Sequence, residues 1–255
     1  MSGAEGGPPG DATSVSVAVE NGVAHVRLTR GRGNPIDLAA AEGLRQAARQ
    51  CQGAQAVLLT AAGPSFCVGG DLREFAAAAD LRAHLDRVTG ALHEALRIFA
   101  ALDVPVVAAV RGAVAGAGLG LLGVADLVVA GEDAGFVAAY TGIGYTPDAG
   151  VSWTLPRLVG PRPALDLLLT NRRLTVAEAL AAGLVTSVAA DPEQAAAALA
   201  ERLAGAAFGA TKRLVRASQG ESFGRHLDAE ARAIGEAAVS PAGRAGVAAF
   251  LGRRL

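Results

Sequence analysis

Two glycine-rich stretches hold the residue types most able to do chemistry: Phe66-Cys67-Val68-Gly69-Gly70-Asp71-Leu72 and Gly112-Ala113-Val114-Ala115-Gly116-Ala117-Gly118-Leu119-Gly120. Each puts small residues where a loop turns into a helix. Backbone N–H groups there are unblocked by side chains and can point at an anion or a developing oxyanion. Two such donors converging on one oxygen make an oxyanion hole. Ser65 and Ser152 have no local histidine and acid arrangement, so a serine hydrolase is not indicated. Cys67 reads as a small buried hydrophobe. Asp71 and Asp148 each precede a helical run, where aspartate is a preferred cap. His93, beside Leu92, falls at the edge of an apolar stripe, and Tyr140 in a short strand suits a pocket wall or plain core.

The elements that must carry these groups follow from periodicity. Residues 14–20 and 23–29 alternate polar and apolar around Asn21-Gly22, a strong hairpin signal. Residues 37–50 predict a helix, 55–60 a buried strand, and 61–64 a turn into the first glycine-rich stretch. Over 80–101, Leu81, Leu85, Val88, Leu92, Leu96 and Phe99 recur at three- and four-residue steps, an amphipathic helix. An apolar strand at 104–110 leads to the second stretch, which opens a helix to about residue 123. Short strands follow at 126–130 and 135–138, so the strand–crossover–strand order predicts an α/β protein with a largely parallel sheet. Beyond Pro147 the pattern is helical, with alanine-rich helices at 192–207 and 223–238 and one possible strand at 185–188.

Composition narrows the function classes. The 255 residues are 51% apolar, enough for a full core. Lys plus Arg total 23 against 24 Asp plus Glu, and no basic block interleaves with aromatics, which argues against a nucleic-acid surface. Only Cys51 and Cys67 occur, without metal-type spacing, which suits a reduced, cytoplasmic setting. The apolar runs are broken by Arg111, Asp126 and glycines, so no membrane span and no metal are expected. Residues 1–14 read as a loose tail without the order of a secretion signal.

The succession of hairpin, helix, strand, Phe-Cys-Val-Gly-Gly-Asp-Leu, long helix, Pro-Val-Val-Ala-Ala-Val-Arg-Gly and glycine-rich helix start resembles the crotonase (enoyl-CoA hydratase/isomerase) superfamily over about residues 15–254. Ala125-Asp126-Leu127, Leu155-Pro156-Arg157-Leu158-Val159-Gly160 and Ala177 through Val185 extend the likeness. The resemblance implies a spiral of ββα turns. Residues 15–195 would be its core, and 196–255 a C-terminal helical trimerisation region. It also implies a homotrimer or dimer of trimers acting on an acyl-CoA thioester, or on an acyl group carried by a carrier protein, in lipid metabolism. No separate cofactor is implied, because coenzyme A is part of the substrate.

By the same likeness the N–H groups of Gly70 and Ala117 hold the thioester oxygen. Cys67, Val68, Asp71, Leu72, Gly116, Gly118 and Gly120 surround the substrate, and Arg254 approaches the nucleotide. Hydratases of the family use two glutamates, but the matching positions here are Gly120 and Tyr140, and neither takes a proton from water at neutral pH. Asp148 matches the carboxylate of aspartate-dependent members, which resemble the epoxyphenylacetyl-CoA isomerases. One carboxylate suffices to move a proton between two carbons while the enolate is held. The chain is also similar to 4-chlorobenzoyl-CoA dehalogenases, with His93 on their catalytic histidine, Asp148 on their nucleophile and Tyr140 where they have tryptophan. Gly70 departs from their bulky aromatic, which ranks isomerisation above dehalogenation. A non-catalytic thioester-binding subunit is the remaining expectation.

Overall fold

The protein is described by a computed structural model over residues 14–252 apart from 219 and 221. The expected tail therefore falls outside the described residues save for Ser14, and Arg254 lies outside them too.

Strands β1 (Val15–Glu20) and β2 (Val23–Leu28) form the expected antiparallel hairpin, with Val17 opposite Val26. Asn21 and Gly22 both have positive φ, +50° and +80°, as a two-residue turn matched to strand twist demands. Helix α1 (Leu38–Gln50) starts at Asp37, whose side chain accepts the Ala40 N–H at 2.7 Å, and buries Ala40, Ala41, Leu44, Ala47 and Ala48. Strand β3 (Ala56–Ala61) is buried along its whole length and runs parallel to β2. Helix α2 (Leu72–Ala77) is capped by Asp71, which accepts from Arg73 and Glu74, and α3 (Leu81–Ala101) is capped by Asp80.

Strand β4 (Val106–Val110) pairs parallel with β3, after which β5 (Ala113–Ala115) leads into α4 (Ala117–Val124). Strands β6 (Leu127–Ala130) and β7 (Gly135–Val137), a 3-10 turn at Thr141–Ile143, and helices α5 (Val151–Val159) and α6 (Pro161–Thr170) follow. Then come β8 (Leu174–Thr175), α7 (Val176–Ala181), β9 (Ser187–Val188) and α8 (Pro192–Leu203). The remaining helices are α9 (Ala206–Ala217), α10 (Phe223–Val239) and α11 (Pro241–Gly252).

One sheet has the order β1-β2-β3-β4-β6-β9, all parallel except the opening hairpin; the second is β5-β7-β8. The main core lies between the large sheet and α1, α3, α4 and α5. A smaller core on the other side joins Val23, Leu58, Val107 and Val129 to Ala196 and Ala200 of α8, so this helix crosses the 195/196 border expected from the sequence.

Strands β5 and β8 are missing from the sequence expectation, because two or three residues carry too little period to register. The single helix expected over 192–207 is instead two helices broken at Ala204 and Gly205. What holds α9 is polar. Lys212 Nζ sits 2.8 Å from Asp126 Oδ2 and donates to the Val104 carbonyl at 3.0 Å. Arg216 donates to Asp126 Oδ1 and to the carbonyls of Ala100 and Val124. Burial pushes the Lys212 amine below its usual range, opposed by its bond to Asp126. Among the described residues no helix is long and apolar enough to cross a membrane.

Candidate functional site

The two glycine-rich stretches meet in space. Cys67 N–H donates to the Ala113 carbonyl at 3.3 Å and its own carbonyl accepts from Ala115 at 2.8 Å, a short bridge between the loop before α2 and the strand before α4. Gly69, with φ +95°, comes so near that a Cβ on it would stand 3.2 Å from the Ala115 oxygen and 3.5 Å from the Gly116 Cα. The next residues in each stretch, Gly70 and Ala117, line one cavity of about 130 Å³. Among the described residues neither of their N–H groups meets an acceptor. Ala117 is the first residue of α4, where an N–H has no carbonyl inside the helix to reach.

Asp148 lines the same cavity and is the only carboxylate among its described lining residues. Its Oδ1 is buried without a hydrogen-bond partner. A buried polar atom left unsatisfied costs about 1–3 kcal/mol, so this oxygen stays where the rest of the residue is held. The backbone supplies the hold: the Asp148 carbonyl accepts from Val151 at 2.9 Å and, at the long limit of 3.5 Å, from the Tyr140 hydroxyl. Ala149 follows in the left-handed region at φ +49°, which costs a non-glycine residue about 1–2 kcal/mol. Its N–H donates to His93 Nε2 at 3.1 Å.

Tyr140 is 8% exposed and lines the cavity beside Asp148. Burial, then the Asp148 charge, pushes its phenol pKa upward, so it stays a protonated donor and cannot serve as a base. The rest of the wall is mostly apolar: Ile36, Phe75, Leu85, Val88, Leu92 and Ile143, with Thr89, Tyr145 and Thr146 adding hydroxyls. Phe75 comes close over Gly70, where a Cβ would stand 2.6 Å from its ring. Among the described lining residues there is no Lys, Arg or His.

Of the residues singled out from the sequence, Asp148, Gly70, Ala117, Tyr140, Val68, Leu72 and Gly116 come together around this cavity. His93, Cys67, Asp71, Gly118 and Gly120 stand outside its lining. Asp71 is occupied as the α2 cap. Cys67 is fully buried, and burial pushes its thiol up to about 12, which leaves no thiolate to attack anything. Gly118 marks the seam between the stretches, since a Cβ there would stand 2.7 Å from the Cys67 oxygen. Gly120 lies under the Asp148 turn: a Cβ on it would stand 2.4 Å from the Ala149 oxygen. Phe75, Thr89, Ile143 and Tyr145 are lining residues that sequence reasoning missed. Leu85, Val88 and Leu92 belong to the apolar stripe of α3, which marks a buried side without telling core from pocket.

The profile of the family described as Enoyl-CoA hydratase/isomerase matches residues 18–255. A Rhodobacter capsulatus protein named "Probable enoyl-CoA hydratase" is 35% identical, covering 94% of this chain and 96% of its own. The 1,2-epoxyphenylacetyl-CoA isomerase of Escherichia coli is 33% identical over 92% of this chain and 94% of its own. The crystal structure of a Mycobacterium abscessus protein named "putative Enoyl-CoA hydratase/isomerase" superposes with a TM-score of 0.89 at 37% identity, covering 94% of this chain and 96% of that one.

Proposed function

Since this chain belongs to the enoyl-CoA hydratase/isomerase family of the crotonase superfamily, we propose that it is an isomerase-type enzyme that shifts a proton within a bound acyl-CoA thioester, using Asp148 as its single acid/base group. The Gly70 and Ala117 N–H groups receive the thioester oxygen. As the α-carbon loses its proton, charge moves onto that oxygen, and the two donors bind the enolate more strongly than the ground-state carbonyl. Asp148 accepts the proton and returns it to another carbon of the same acyl group, so proton count and charge are restored at each cycle. Tyr140, held protonated, donates toward the Asp148 backbone and closes the wall beside it.

The observation that carries this reading is Asp148, the one carboxylate among the described residues of the cavity, with one oxygen buried and unpartnered, above a position 120 that has no room for a second acid. The uncharged wall suits an apolar, uncharged acyl group. The aryl-CoA dehalogenase-like alternative asks His93 to activate water, yet the His93 Nε2 already accepts a backbone N–H and the ring stays outside the lining. The apolar side chains exposed on the C-terminal helices, Val215, Leu227, Ile234, Val239 and Val247, suit a face turned toward other subunits of a trimer.

Exchange of solvent deuterium into the α- or γ-carbon of acyl-CoA thioesters tests the proposal. Asp148→Asn is expected to lower exchange by about 10²–10⁴-fold, the usual scale for a general acid/base, while acyl-CoA binding persists. Undiminished exchange in that variant would reject Asp148. Binding by the wild-type protein with no exchange across a broad panel would favour a non-catalytic thioester-binding subunit.

A further inference from the structure

Building on the isomerase reading, we infer that His93 is a positioning residue, an uncharged hydrogen-bond acceptor that fixes the turn carrying Asp148. Its Nε2 accepts the Ala149 N–H at 3.1 Å. Ala149 is the residue directly after Asp148, is 1% exposed, and holds φ at +49°; Gly150 follows at +73°. Two successive left-handed residues reverse the chain tightly, and one of them is not glycine, so the turn must be imposed by what it touches. The contacts come from separate elements. Helix α4 offers Gly120, against which the Ala149 carbonyl and methyl group are pressed. Helix α3 offers His93. The start of α5 offers the Val151 N–H to the Asp148 carbonyl at 2.9 Å. Only the His93 bond seizes the N–H that immediately follows the carboxylate-bearing residue.

A ring nitrogen that accepts an N–H carries no proton of its own, so the neutral ring keeps its hydrogen on Nδ1. In this arrangement Nε2 is taken and cannot also accept a proton from a water in the cavity, which His93 does not line. The histidine thus acts on the reaction through the direction of the Asp148 carboxyl group.

Two measurements test this, one of them independent of turnover. The ring ¹⁵N spectrum of His93 at mildly alkaline pH is expected to show a bare Nε2 and a protonated Nδ1; the opposite tautomer would overturn the assignment even if the enzyme's reaction were misread. In deuterium exchange with butyryl-CoA and phenylacetyl-CoA as probes, His93→Leu is expected to lose about 10²-fold in rate, the scale of a catalytic group displaced by about 1 Å. Its KM is expected to stay near the wild-type value, because no cavity-lining residue has changed. His93→Gln, whose amide oxygen can reach the place of Nε2 as an uncharged acceptor, is expected to recover most of the rate. A glutamine variant as slow as the leucine variant would point to proton transfer by the ring, and a leucine variant as fast as wild type would leave His93 without a role. Either result rejects positioning. An Asp148→Asn variant that kept full exchange would instead reject the isomerase reading itself.

Discussion

At Gly120 the chain has traded a side chain for the approach of another piece of backbone. The Ala149 oxygen and Cβ would stand 2.4 and 2.6 Å from any Cβ placed there, inside contact distance for both. A larger side chain at this position and the aspartate turn therefore cannot share the space. Gly120→Ala is expected to push the turn off its seat. We expect a fall in the exchange rate of about 10²-fold together with a loss of stability of about 1–3 kcal/mol from overpacking, read by exchange kinetics and urea unfolding of the same sample. Gly120→Glu should not acquire water addition to an enoyl-CoA, because its side chain would have to displace Ala149 first.

At the scale of elements, the parts that were legible in the sequence are those with a local physical cause. The hairpin was signalled by Asn21-Gly22, α1 and α3 by their apolar spacing, and the meeting point of the two glycine-rich stretches by the residues themselves. What escaped was set by contacts between distant segments. The His93 to Ala149 bond spans 56 positions, and no spacing rule connects them. Phe75 enters the cavity because α2 follows closely on Gly70, while its residue type says only that it is buried somewhere. Helix α9 is held by Lys212 and Arg216 converging on Asp126 between β4 and β6, so its break from α8 was invisible to hydrophobic period. Asp126→Ala would strand a lysine whose side chain is only 7% exposed. Breaking a buried pair from one side costs about 3–5 kcal/mol. Urea midpoints of the variant and the wild type should differ accordingly, and a variant matching the wild type would deny the cluster its place in stability.

For the whole molecule, the large sheet divides two packed layers, with the cavity among the loops and helices of the main core and α8 sealing the far side. Lys212 and Arg216 of α9 tie the C-terminal helices to this body, and among their described side chains Val215, Ile234 and Val239 remain exposed. Lys212 is also the sole lysine in the sequence. An acetylating ester has therefore one side-chain amine to find, and in the folded protein that amine is tucked against Asp126 and the Val104 carbonyl. Labelling of Lys212, followed by peptide mass spectrometry, should be slow in the native protein and rise as α9 lifts away. The chain thus carries a built-in chemical tag for the docking of its last helices.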